Sequence, residues 1–117
     1  DTYGHDVGDI VLKEISNIIL KSTRKTDIAS RWGGEEFMIL LPETTLSNSM
    51  TIAETLRANV EKCSFENVPK TITISLGVTT FRNGEDTRDT IVKNVDLALY
   101  EAKNSGKNKV VEYIKKD

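Results

Sequence analysis

With 117 residues the chain has the size of one ordinary domain, and its 38% hydrophobic and 29% charged composition is globular rather than disordered or membrane-embedded. Sixteen basic against 18 acidic residues leave a net charge of −2, so no overall field advertises a nucleic-acid or membrane partner. The single cysteine, Cys63, excludes a disulfide framework and a multi-cysteine zinc cluster, the single histidine, His5, excludes a His-rich metal site, and no apolar run approaches the roughly 20 residues of a membrane helix.

The chain opens on Asp1-Thr2-Tyr3-Gly4 with no initiator methionine, and reads as most of one domain from a longer protein, residues 1–117, lacking a leading strand. His5 falls in this opening turn and has a structural rather than a catalytic setting. A helix is predicted from residue 7 to about residue 21, because Val11, Leu12, Ile15, Ile18 and Ile19 recur at helical spacing while Lys13, Glu14, Ser16 and Asn17 face away. Asp6 is its predicted cap, and Lys21, Arg24 and Lys25 gather where it should stop. Runs 28–32 and 35–41 flank Gly33-Gly34 and predict a β-hairpin with a tight turn that glycine's freedom at positive φ allows. Phe37, Ile39 and Leu41 share one face and Met38 and Leu40 the other, which predicts a strand covered on both sides.

Pro42 ends that strand, and residues 46–62 predict a second helix burying Ile52, Ala53, Leu56 and Val60. The β-branched run 71–81 predicts a strand with Ile72, Ile74, Leu76 and Val78 on one face, followed by an Asn83-Gly84 turn. A third helix is predicted from residue 89 to about 103, with Ile91, Val95, Ala98, Leu99 and Ala102 inward and Gly106 as its stop, before a closing strand over 109–114. The order is α-β-β-α-β-α-β. With one further strand in front it becomes an α+β, ferredoxin-like sheet backed by helices on one face.

The strongest local signal is Gly33-Gly34-Glu35-Glu36-Phe37, two adjacent carboxylates at the tip of a glycine hairpin before an apolar strand. Carboxylates on a short turn suit Mg²⁺, which takes hard oxygen ligands and shares its shell with substrate phosphates. The glycines leave room for a nucleotide to approach the backbone. The same residues also suit a plain solvated turn. Trp32 and Phe37 read as packing anchors beside the hairpin, and Cys63, with no activating neighbour, as a passive thiol.

Arg31-Trp32-Gly33-Gly34-Glu35-Glu36-Phe37 resembles the signature of the GGDEF family, in the variant with Glu at the third position. Asp1 to Asp9 resembles that family's approach to its first long helix. Thr73-Ile74-Ser75-Leu76-Gly77-Val78 resembles its late strand, and Ala98-Leu99-Tyr100-Glu101-Ala102-Lys103 with Gly106-Lys107-Asn108 resembles its last helix and turn. The resemblance runs in order along essentially the whole chain.

It implies a diguanylate cyclase domain of nucleotidyl-cyclase and polymerase-palm type, condensing two GTP into cyclic di-GMP by two-metal phosphoryl transfer with Mg²⁺ or Mn²⁺. One GTP per protomer implies an antiparallel homodimer. The resemblance makes Glu35 the metal ligand and helper in deprotonation, Glu36 its neighbour, and Gly33 and Gly34 the room for nucleotide. Asp9 would read guanine; an early-helix acid stabilised by the dipole is the bland alternative. Lys103 and Lys107 would hold the terminal phosphates, although the family more often has Arg at the second position, so a bidentate fork is exchanged for a point charge. Arg24-Lys25-Thr26-Asp27 is an R-x-x-D motif at the spacing of the family's inhibitory product site; alone, such a motif is a surface charge pair. The family's first strand, with a metal-binding aspartate and a guanine-reading asparagine, lies ahead of Asp1. That implies an active parent protein, an inactive isolated piece, and a sensor or receiver domain in front. The resemblance further implies a cytoplasmic domain that binds no nucleic acid. The alternative function is a catalytically retired module that binds GTP or cyclic di-GMP and signals to a partner domain.

Overall fold

The computed structural model of the chain describes residues 4–32, 36–65, 68 and 71–114. Its elements run α1 (Gly4–Ser22), β1 (Ile28–Arg31), β2 (Phe37–Leu40), α2 (Leu46–Lys62), β3 (Leu76–Val78), α3 (Arg88–Asn104) and β4 (Val110–Glu112), in the predicted order. The fold is α+β.

α1 begins earlier than predicted, so His5 lies in the helix rather than in a turn and Asp6 lies within its first turn rather than at the cap. α2 has the predicted bounds: the Thr45 hydroxyl accepts from the Asn48 N–H at 3.1 Å and sets its start. α3 starts one residue early because Thr87 and Thr90 form a reciprocal capping box. At its other end Gly106, at φ +121°, lets the Lys107 N–H reach the Ala102 carbonyl at 3.0 Å.

The core is built from Ile15 and Ile19 of α1, Leu56 and Val60 of α2, and Phe65 and Val68 of the following segment. Phe37, Ile39, Ile72, Ile74 and Leu76 pack against it, which bears out the predicted inward faces of these segments. Ala53 of α2 and Ala98 and Ala102 of α3 are buried as expected, but the polar Ser49 and Asn94 are buried with them, while Ile52 and Ile91 are only half-buried.

β1 and β2 pair antiparallel, Ile28 opposite Leu40 and Arg31 opposite Phe37, whereas β3 and β4 pair parallel, Leu76 opposite Val110. No ladder joins the two pairs among the described residues. β3 is much shorter than the predicted 71–81 run, because its ladder extends only as far as β4 answers it. The predicted burial of both faces of β2 fails: Leu40 is 52% and its partner Ile28 58% exposed, so one face of the hairpin is open among the described residues. Nor do the helices share one face. Leu76 points into the α1–α2 core, and a Cβ on the adjacent Gly77 would lie 2.5 Å from the Leu99 N and 2.6 Å from the Val95 O of α3. Successive strand residues face opposite ways, so α3 covers the other side of the β3–β4 pair. Only glycine lets the α3 backbone approach so closely.

No described helix is long and apolar enough to cross a membrane.

Candidate active site

The β1–β2 register sets Trp32 opposite Glu36, and the Trp32 N–H donates to the Glu36 carbonyl at 2.8 Å. Three residues, 33–35, therefore separate the facing pair, where a two-residue glycine turn was expected. Gly33, Gly34 and Glu35 themselves lie outside the described residues. Trp32 is 48% exposed and is not the packing anchor expected; Phe37 is, against the core.

Glu36 meets one of the expected phosphate cations. The Lys103 ammonium, in the last turn of α3, lies 3.8 Å from Glu36 Oε2, with both side chains about half exposed. Lys107 follows in the turn after α3, exposed, at φ +59°. Asp9 is exposed on α1, and no hydrogen bond or ion pair joins it to the hairpin or to the lysines among the described residues. The structure thus brings together Glu36 and Lys103, with Lys107 four residues further on, in the turn after α3.

Among the described residues no three His, Cys, Asp or Glu side chains gather to hold a metal ion. The expected ligand Glu35 lies outside them. Glu36 contributes a single hard oxygen donor group, suited to a magnesium shell completed by other ligands but unable to complete one itself.

Arg24 and Asp27 form the second expected constellation, in the turn between α1 and β1. The Arg24 Nη2 donates to Asp27 Oδ1 at 2.8 Å, its Nε lies 3.2 Å from both carboxylate oxygens, and the Arg24 backbone N–H donates to Asp27 Oδ2 at 2.7 Å. These bonds hold the Asp27 carboxyl below the usual carboxylate range. The same Nη2 also reaches the Thr44 hydroxyl at 2.6 Å and the Pro42 carbonyl at 3.1 Å, tying this turn to the entry of α2. An open hollow of about 270 Å³ lies beside it, lined by Arg24, Glu43, Thr44, Asn48, Thr51 and Ile52. A larger one, about 520 Å³ between α2 and Val110, includes none of the expected site residues.

Thr44 was not foreseen, since nothing local in the sequence pairs it with Arg24. The same holds for Asn108, whose amide is bonded to Arg57 and Glu61 of α2.

A family profile described as diguanylate cyclase, GGDEF domain matches residues 1–109. The chain is 44% identical over 112 residues to diguanylate cyclase A of Treponema denticola, spanning 94% of this chain but only 30% of that protein. It superposes with a TM-score of 0.92 and 30% identity on the active GGEEF domain of a diguanylate cyclase from Vibrio cholerae, covering 99% of this chain and 74% of that one. The GGDEF domain of DgcB from Caulobacter crescentus, solved in complex with c-di-GMP, gives a TM-score of 0.90 at 29% identity, over 97% of this chain and 68% of that one. The Gly-Gly-Glu-Glu-Phe sequence motif, the lysine-bearing end of α3 and these matches along nearly the whole length make the chain a member of the GGDEF family of diguanylate cyclase domains.

Proposed function

We propose that residues 1–117 belong to the catalytic domain of a diguanylate cyclase. The observation that carries this is the approach of Lys103 to Glu36, which sets a lysine ammonium 3.8 Å from the Glu36 carboxylate. In each of two equivalent steps the ribose 3′-hydroxyl of one GTP loses its proton and its oxygen forms a bond to the α-phosphorus of the other. The bond from that phosphorus to the β-phosphate bridging oxygen breaks, and pyrophosphate leaves. The product is cyclic di-GMP with two pyrophosphates.

Glu35 helps to remove the hydroxyl proton, Lys103 and Lys107 draw charge from the terminal phosphates, Gly33 and Gly34 admit the nucleotide, and Asp9 accepts from the guanine edge. The magnesium or manganese of a two-metal transfer, held by Glu35 with Glu36 beside it, would supply Lewis acidity toward the α-phosphate. Two protomers related by a twofold axis bring the two GTP molecules together. The much greater length of the curated relative agrees with a regulatory domain elsewhere in the native protein.

Arg24 and Asp27 form a product-inhibition site. The Arg24 guanidinium is oriented by Asp27 through Nε and Nη2, leaving Nη1 to donate to phosphate or guanine, and the adjacent hollow has room for a ligand group. The c-di-GMP complex of the Caulobacter domain supports the ligand class.

The test is formation of cyclic di-GMP from GTP and magnesium by the full-length native protein, read by chromatography beside Glu35→Ala. Turnover in the wild type, abolished in the variant, is expected. Nucleotide binding without turnover would overturn the cyclase reading in favour of a retired binding module.

A further inference from the structure

The turn after α3 adopts three consecutive positive φ values, +121° at Gly106, +59° at Lys107 and +48° at Asn108. Glycine takes such a conformation freely and asparagine tolerates it, but lysine does so only when its surroundings impose it. Upstream, the Lys107 N–H is bonded to the Ala102 carbonyl. Downstream, Val110 enters the parallel ladder with Leu76.

Between these two anchors Asn108 supplies a third. Its Oδ1 accepts from Arg57 Nη1 at 2.9 Å, and its Nδ2 donates to Glu61 Oε2 at 2.8 Å. Arg57 closes the ring by donating to Glu61 Oε1 at 3.0 Å, and its Nε donates to Glu54 Oε1 at 2.7 Å. The ring is fastened to the core, since Leu56 and Val60, beside Arg57 and Glu61 on α2, are 2% and 0% exposed. Asn108 is distant in sequence from both partners, so the contact fixes the turn relative to α2 rather than merely trimming a local loop. Lys107, one residue away, is exposed and makes no side-chain hydrogen bond or ion pair with a described residue. A rigid, strained turn thus holds out an ammonium that no described carboxylate neutralises.

We propose that Asn108, gripped by Arg57 and Glu61, is a positioning residue that fixes the left-handed turn so that Lys107 meets the β- and γ-phosphates of the nucleotide. The inference rests on the reading of Lys107 as a triphosphate-binding residue. Pre-organisation saves the ligand the cost of ordering the turn, so loss of the grip weakens only the part of binding that Lys107 supplies.

Equilibrium binding of a non-hydrolysable GTP analogue and of GMP to the full-length native protein, by titration calorimetry with magnesium present, tests this. Lys107→Ala is expected to weaken the triphosphate about tenfold, the size of one charge-assisted contact, and to leave GMP unchanged. Asn108→Ala should do the same, and adding it to Lys107→Ala should cost nothing further. Asn108→Gly, which keeps the backbone conformation accessible but lacks the amide, should behave as Asn108→Ala and guards against a failure to fold.

Equal loss of GMP and triphosphate in the Asn108 variants would mean a purely structural role and would overturn the proposal. So would an additive double variant, or Asn108 variants that bind normally while Lys107→Ala does not. Normal triphosphate binding by Lys107→Ala would instead remove the reading on which the inference rests.

Discussion

Lys103 Nζ stands 3.8 Å from Glu36 Oε2, joining the end of α3 to the tip of the β1–β2 hairpin across an exposed gap. A pair this long and this wet holds little structure; exposed ion pairs contribute about 0–1 kcal/mol. Lys103→Ala should therefore lower stability by less than about 1 kcal/mol while weakening GTP binding about tenfold, a contact with a charged phosphate being worth about 1.5–3 kcal/mol. Thermal melting beside nucleotide titration separates the two effects. A large drop in melting temperature with unchanged affinity would make the pair structural and the site reading wrong.

Gly77 has a different reason to be glycine. A methyl group there would lie 2.5–2.6 Å from backbone atoms of Leu99 and Val95, and neither can swing aside as a side-chain tip would. Gly77→Ala must push α3 away from the β3–β4 pair, at a cost of about 1–3 kcal/mol or more. Because α3 carries Lys103 and leads to Lys107, the same variant should also weaken nucleotide binding. Urea denaturation reads the first effect; a midpoint equal to wild type would show that the helix is not seated as described.

Core packing offers a contrast within two leucines. Leu56 is 2% exposed at the centre of the cluster, and Leu56→Ala should cost about 2–5 kcal/mol by leaving a cavity. Leu97 on α3 is 50% exposed, and Leu97→Ala should change stability by no more than about 0.5 kcal/mol. Denaturation midpoints of the two variants, at equal m-values, check the assignment.

The helices and their order were legible because helix signals are local. Thr45 caps α2 from the residue beside it, and the apolar stripe of Ala53, Leu56 and Val60 needs only its own spacing. Strand extents were less legible, because a ladder depends on a partner far away in the chain. Residues 71–75 carry the β-branched pattern, yet pairing starts only at Leu76, where Val110 lies opposite. Leu40 shows the same limit. Alternation identifies a second apolar face but cannot say what covers it. The family resemblance named Glu36, Lys103 and the Arg24–Asp27 pair as candidates. Thr44 and Asn108 escaped because their partners, Arg24 and Arg57, come from 20 and 51 residues away. Helix spacing does foreshadow part of the Asn108 grip, since Glu54, Arg57 and Glu61 stand at i, i+3 and i+7 on α2.

Among the described residues, four carboxylates are held below their usual range and contribute to the acid sensitivity of the fold. For Asp27 and Asp86 the first cause is hydrogen bonding from Arg24 and Arg82, for Glu54 from Arg57, and for Glu61 from Asn108 and then Arg57. Unfolding returns each to its ordinary pKa of about 4, so near that pH the unfolded chain takes up protons that the folded chain refuses. Their contribution is complete above that value and disappears as pH falls through the lower folded values. The arginines are charged in both states throughout this range and add no slope of their own. The melting temperature should hence show little dependence on these groups from pH 7 to about pH 5, then fall steeply toward pH 3. Asp27→Asn removes one of the four titrations. It should be less stable than wild type at pH 7, and the gap should narrow on acidification, because protonated Asp27 has by then lost the charge that Arg24 and its backbone N–H recognise. Melting curves of both proteins between pH 3 and 7 decide the matter: a gap that stays constant or widens toward acid would show that Asp27 holds the turn by shape and not by charge.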